Sequence, residues 1–246
     1  MIPTPSKSGK NATGRHAYSL NPADTMTTSP PDLIETMHAD DAGLIDLMPE
    51  HLARLAHSAS ALGYSYPGDL AVMQAIQAAC SDHTGVSRRV RLLLNQSGAL
   101  SVQAVPLGAL VGSPLIGLSA LVLKSTEPLL QHKTTHRPWY DATTVWLSTH
   151  SAYFDQIFVN ERQELCEGSR SNIYLLKQGV WLTPPLASGL LGGTMRTRLL
   201  DSGQVQESVL HLSDLPDAQA VRLSNGLRGW FDVKPDASLL PGHVLP

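Results

Sequence analysis

The sequence predicts an α+β protein of two parts, a small N-terminal α/β domain followed by a larger β-rich domain. Three observations carry this expectation. The length of 246 residues gives room for two cores. A stretch of helical period, PEHLARLAHSASALGY, stands among strand-like segments in the first hundred residues. Beyond about residue 105, short apolar runs separated by turn residues take over. A hydrophobic share of 42% with 16% charged residues supports a packed chain, and a formal net charge of −3 is no electrostatic footprint for nucleic acid or a membrane surface. Two cysteines, Cys80 and Cys166, form no disulfide framework or zinc spacing, which fits a reducing, cytoplasmic setting.

The elements follow in order. Residues 1–31 are rich in Pro, Ser, Thr, Gly and Asn and lack the apolar core of a secretory signal, so they read as a disordered leader, with Met26 a second possible start. Residues 32–105 form the small domain. DLIETMHADDAGLIDL reads as two short strands around an Asp-Ala-Gly turn. Pro49 opens a helix whose face carries Leu52, Leu55, Ala59 and Leu62, and Gly63 stops it. A second helix spans about Pro67 to Ser81, and RRVRLLLNQSGALSVQAV is a hairpin through Gln96-Ser97-Gly98.

From Val102 to Leu123 the chain runs 22 residues without a charge, long enough to cross a bilayer. Pro106, Pro114, Gly108, Gly112 and Gly117 interrupt it, so 106–123 reads as a connector packed inside, ending in a buried strand from Leu118 to Leu123. Residues 124–246 make the larger domain. Strands are expected in DQIFVNERQELCEG, in SNIYLLKQGVWLTPP with a turn at Gln178-Gly179, and over 205–210 and 219–223. LLGGTMRTRLLDSG reads as a glycine-opened helix, and Ser224-Asn225-Gly226 as a turn. There is no internal repeat.

Four segments hold residues capable of chemistry. In HKTTHRPWYD, His132 and His136 stand four apart, but Thr134 and Thr135 argue against the helix that would join them on one metal, and no metal is expected. By spacing alone Lys133 is a solvated lysine. Glu167 is either exposed or paired with a buried cation, and Cys166 is a nucleophile only if the fold delivers a histidine base. SGLLGGTMR, residues 188–196, offers backbone N–H groups at a helix start to a phosphate, although it is neither a Walker loop nor a dinucleotide fingerprint. LSNGLRGW is by itself a turn.

Taken in order, HKTTHRPWYD, then N-E-R-x-E-L-x-E-x-S-R-S-N-I, then T-P-P-L-x-S-G-L-L-G-G-T-M-R resemble the fold-type IV pyridoxal-phosphate enzymes, the class IV aminotransferase family (D-amino-acid aminotransferase-like). DLIETM and HLARLAHSA-x-x-LGY extend the likeness over residues 32–233. Within the family it is similar to the aminodeoxychorismate lyases, where a lysine sits in an HKTT-x-R-x-x-YD context. The resemblance implies pyridoxal 5'-phosphate as cofactor, with Lys133 the Schiff-base lysine and Glu167 at the pyridine nitrogen. It implies Arg54 and the amides of Thr194 and Met195 around the phosphate, Asn225 or a neighbour as a further phosphate contact, and Thr36 as an aid to proton transfer.

Three departures stand out: Gln163 where many relatives carry glycine, His38 where arginine is common, and Asn95-Gln96 where some relatives hold a substrate-binding arginine. Arg91, Arg137 and Arg170 are left unranked as substrate-carboxylate ligands. The activity implied is conversion of 4-amino-4-deoxychorismate to 4-aminobenzoate and pyruvate, in folate biosynthesis. The alternatives are a branched-chain or D-amino-acid aminotransferase, or a degenerate module. A cytoplasmic homodimer acting on a small molecule, with a functional link to aminodeoxychorismate synthase and no nucleic-acid or membrane partner, completes the expectation.

Overall fold

The computed structural model describes residues 30–81 and 85–239, so the expected leader lies, apart from Pro30 and Pro31, outside the described residues. Strands β1 (Leu33–Ala39), β2 (Arg88–Leu94) and β3 (Leu100–Pro106) form an antiparallel sheet in that order. Helices α1 (Met48–Leu62) and α2 (Asp69–Cys80) cover one face of it. Alternation along β1 turns Leu33, Met37 and Ala39 toward Leu52, Leu55, Val72 and Ile76, while Thr36 and His38 look the other way. Proline in the first turn starts α1, and Gly63, at φ 72°, ends it with its N–H on the Ala59 carbonyl.

The second short strand expected before α1 does not form. Asp40 folds the chain back instead, its Oδ1 accepting from the N–H groups of Ala42 and Leu44, and residues 44–47 run directly into the helix. The connector is likewise not packed inside. Residues 108, 109 and 111–113 are exposed, Val111 at 87%, because two prolines and Gly112 at φ 67° leave no run able to pair with a strand.

The larger part contains β4 (Leu115–Leu123), α3 (Asp141–Thr149), β5 (Tyr153–Asn160), β6 (Leu165–Gly168), β7 (Asn172–Lys177), β8 (Val180–Thr183), α4 (Thr194–Asp201), β9 (Gln206–Glu207), β10 (Ala220–Asn225) and β11 (Gly229–Pro235). Its sheet runs β10-β11-β4-β5-β6-β7-β8-β9, and a further pairing of β10 with β7 closes the ring into a barrel. Ile116, Ile157, Leu165, Ile173, Leu175 and Leu223 fill the core. The strand expected from Leu118 begins at Leu115, and Ala120, Leu121 and Val122 are exposed where its register with β5 shifts. The strand expected over 205–210 shrinks to the two residues of β9, and β11 and α3 were not expected. In α3 the β-branched Thr143 and Thr144 weaken the local helical signal; Thr143 is held instead by a hydrogen bond to Gln156 at 2.7 Å. Among the described residues no helix is long and apolar enough to cross a membrane.

Candidate active site

Lys133 lies where the two sheets meet. The segment after β4 returns along the free edge of β1: Ile34 N–H donates to the Lys133 carbonyl and Thr135 N–H to that of Asp32, each at 2.8 Å, around a Leu33–Thr134 bridge. Antiparallel partners send their side chains to the same face, so Lys133 shares the face of Ile34 and, two residues on, of Thr36. The two histidines around it diverge. His132 bonds Ser58 at 3.0 Å and stacks on His57, whereas His136 meets the edge of Trp139. Among the described residues no three His, Cys, Asp or Glu side chains gather as a metal site. Burial pushes the Lys133 amine down to about 7, helped by the positive charges of Arg137 and Arg54 and opposed by Glu35 and Glu167.

Glu167, on β6, is 2% exposed and has no ion-pair partner among the described residues. Its Oε1 accepts from the Tyr140 hydroxyl at 2.6 Å, and the Leu191 N–H donates to the same carboxyl. Burial pushes it up to about 7 against the pull of Arg137, Tyr140, Leu191 and Lys133. Asp155 fixes the turn that follows it: this buried carboxylate accepts from Ser169 N–H and Oγ, Arg170 N–H and Ser171 Oγ at 2.7–3.0 Å. Cys166 is fully buried, its thiol on the Ser188 carbonyl and raised well above the usual range by burial, so it is no nucleophile.

Glu35 is the opposite case. Its burial is outweighed by Arg54 and His51, which hold it down to about 2. Arg54 grips it through Nε at 2.9 Å and Nη2 at 2.5 Å, and His51 Nδ1 lies 2.5 Å from Oε2. This leaves Arg54 Nη1, which reaches the Gly192 carbonyl at 3.4 Å, as the end facing the start of α4. The amides of Thr194 and Met195, in the first turn of that helix, have no intrahelical acceptors, and no side chain caps them. Only glycine fits before it, since a Cβ at Gly193 would lie 2.0 Å from Asn172 Oδ1. The Asn225 side chain is taken up in the β10–β11 turn, donating to the Arg170 carbonyl and accepting from Leu227 and Arg228 N–H. Its neighbour Gly226 comes against the cup instead: a Cβ there would sit 2.7 Å from both His51 Nε2 and Thr194 Oγ1. Both of those buried atoms lack a hydrogen-bond partner.

These features suit pyridoxal phosphate: an uncapped helix start beside Arg54 for an anion, a buried carboxylate without a cation for a protonated ring nitrogen, and a half-neutral lysine for an aldehyde. The family model described as amino-transferase class IV matches residues 32–235. The chain belongs to the class IV aminotransferase family. Members of this fold-type IV family use pyridoxal phosphate. The chain is 33% identical over 203 residues to a Schizosaccharomyces pombe protein named "Putative aminodeoxychorismate lyase", covering 80% of this chain and 86% of that one. It is 30% identical over 130 residues to the aminodeoxychorismate lyase of Saccharomyces cerevisiae, covering 44% and 35% respectively. Among solved structures, a "Putative amino-acid aminotransferase" of Mesorhizobium loti superposes with a TM-score of 0.79 at 31% identity, over 84% of this chain and all of that one.

At this candidate site, sequence reasoning missed Glu35, His51, Tyr140 and Asp155. A signal existed for the first two. Glu35 interrupts the apolar face Leu33-x-Glu35-x-Met37, and His51 lies one turn before Leu55 on the inward face of α1. Tyr140 and Asp155 act through the tertiary fold and left no local mark.

Proposed function

We propose that the protein is a pyridoxal-phosphate lyase that converts 4-amino-4-deoxychorismate to 4-aminobenzoate and pyruvate. The observation that carries the cofactor assignment is a buried Glu167 carboxyl with no ion-pair partner among the described residues, pushed up to about 7, facing a half-buried Lys133 whose amine is pushed down to about 7. When bound, the cofactor supplies an aldehyde for amines and a ring that draws electrons. Glu167 would keep the ring nitrogen protonated, and Arg54 with the Thr194 and Met195 amides would hold the phosphate.

Lys133 carries the chemistry of the chain itself. With its amine pushed down to about 7, it would be neutral often enough at pH 7 to take the proton from the amine-bearing carbon of the substrate. The bond to the enolpyruvyl oxygen then breaks, the ring becomes aromatic, and the departing enol gains a proton as pyruvate. Thr36, on the Lys133 face, would assist this proton traffic. The names of the two yeast relatives support the lyase reading. The name of the Mesorhizobium structure favours a second reading, an amino-acid aminotransferase, for which the sequence resemblance offers branched-chain or D-amino acids as substrates. A lysine amine pushed toward neutrality, within electrostatic reach of a buried carboxylate, argues against a degenerate module. The test is fluorescence detection of 4-aminobenzoate from aminodeoxychorismate: the unaltered protein releases it and Lys133→Ala does not. Equal release by both would overturn the assignment.

A further inference from the structure

Arg137 is a cation without a counter-ion. It is only partly exposed, yet among the described residues its guanidinium makes no hydrogen bond and no ion pair. Its guanidinium lies over the face of Tyr140, with Cζ 4.4 Å from the ring centroid. The hydroxyl of that ring is bonded to Glu167, so the guanidinium stands about one ring's length from the carboxylate. Four residues back along the same segment is Lys133, and Arg137 is the foremost charge acting on both groups.

The other arginines are differently placed. Arg170 donates through Nε to the Phe154 carbonyl at 3.0 Å and stacks on the Phe154 ring. Arg54 is held by Glu35, Arg162 by Glu164, Arg196 by Glu207 and Arg198 by Glu50. Arg91 is exposed to water on β2. A half-buried guanidinium, near enough to Lys133 to act on its charge and with no side-chain acceptor among the described residues, is suited to a bidentate anion arriving with the substrate.

We propose that Arg137 is the carboxylate anchor of the site, gripping a carboxylate of the amine substrate as its nitrogen approaches Lys133. This rests on the reading of Lys133 and Glu167 as cofactor ligands. It makes the substrate class carboxylate-bearing amines, which aminodeoxychorismate, with two carboxylates, satisfies. The cation–π contact with Tyr140 keeps the guanidinium plane fixed before substrate arrives, so little freedom is lost on binding.

The experiment compares the pyridoxal-phosphate-loaded protein with Arg137→Gln and Arg137→Lys, reading the visible band, cofactor affinity, kcat and KM for aminodeoxychorismate. Arg137→Gln should keep the band and the cofactor affinity and raise KM tenfold or more, a larger change than any fall in kcat from the altered charge at Lys133 and Glu167; Arg137→Lys should recover part of the KM loss. An unchanged KM, a fall in kcat alone, or loss of the band would overturn the anchor. If the unaltered protein shows the band but leaves aminodeoxychorismate intact, the lyase reading fails. The anchor is then tested by spectral titration with alanine against ethylamine. A preference for alanine that Arg137→Gln abolishes supports it, and a preference unaffected by the substitution overturns it. With no band in the unaltered protein, the cofactor reading and the anchor fall together.

Discussion

The backbone N–H of Ile34 donates to the carbonyl of Lys133 at 2.8 Å, joining the edge of the small sheet to the segment that leaves the larger one. The bond sets the face on which the lysine emerges and aligns it with Thr36 on β1. It also puts the amine close to Arg54 and Glu35 from the small sheet and its helix, and to Arg137 and Glu167 from the barrel side, so both halves of the chain tune one nitrogen.

That tuning has a measurable consequence for stability. An unfolded chain holds the Lys133 proton up to about pH 10.5, whereas the folded one releases it near 7. Lys133 therefore opposes folding in full below pH 7, and the opposition fades as the pH rises toward 10.5. Without added cofactor, Lys133→Met should melt higher than the unaltered protein at pH 6.5, by up to a few kcal/mol of stability, and the gap should close near pH 10. A gap that is constant or widens with pH would show that the amine is not displaced.

Glu167→Gln separates cofactor attachment from cofactor electronics. The amide fills the same space and can still accept from Tyr140, so the visible band of the lysine-bound cofactor should persist. Turnover should fall on the order of 10²-fold or more, because a neutral amide does not hold the ring nitrogen protonated. Full activity would remove Glu167 from its role.

Arg54→Ala should weaken pyridoxal phosphate by about 2–5 kcal/mol. Pyridoxal, which lacks the phosphate, should bind both proteins alike. An equal loss for the two ligands would mean that the substitution acts by freeing the buried Glu35 and disturbing the fold.

Gln163 is a sequence departure with a backbone explanation. It stands at φ 61° in the turn between β5 and β6, a conformation that glycine adopts without strain. Gln163→Gly should raise stability by about 0.5–1 kcal/mol in urea unfolding, with no change in activity. A loss of stability would place the cost of the glycine in the unfolded state above the strain relieved.

Much of this architecture was legible because local signals and tertiary packing agree. Pro49 and Gly63 bound α1, Gln178-Gly179 makes the β7–β8 turn, and glycine opens α4. The failures share a cause. The residues after Asp40 look like a strand, but a side-chain oxygen that captures two amides turns them. Residues 107–113 are apolar enough to be buried, but prolines deprive them of a pairing partner. At the candidate site, Lys133, Glu167 and Arg54 are proposed through the family motifs. Their electrostatic settings were not legible there, since they depend on Arg137, Tyr140, His51 and Glu35 being folded together from distant segments.

The lyase reading is tested most directly by product balance without an acceptor. A transaminase leaves the amino group on its cofactor and needs a keto acid to recover, whereas a lyase restores the Lys133-bound cofactor in each cycle. Given aminodeoxychorismate alone, the pyridoxal-phosphate-loaded protein should release 4-aminobenzoate and pyruvate in equal amounts over many turnovers. Turnover that requires an amino acid together with a keto acid, with aminodeoxychorismate left intact, would contradict the account and make the protein an aminotransferase.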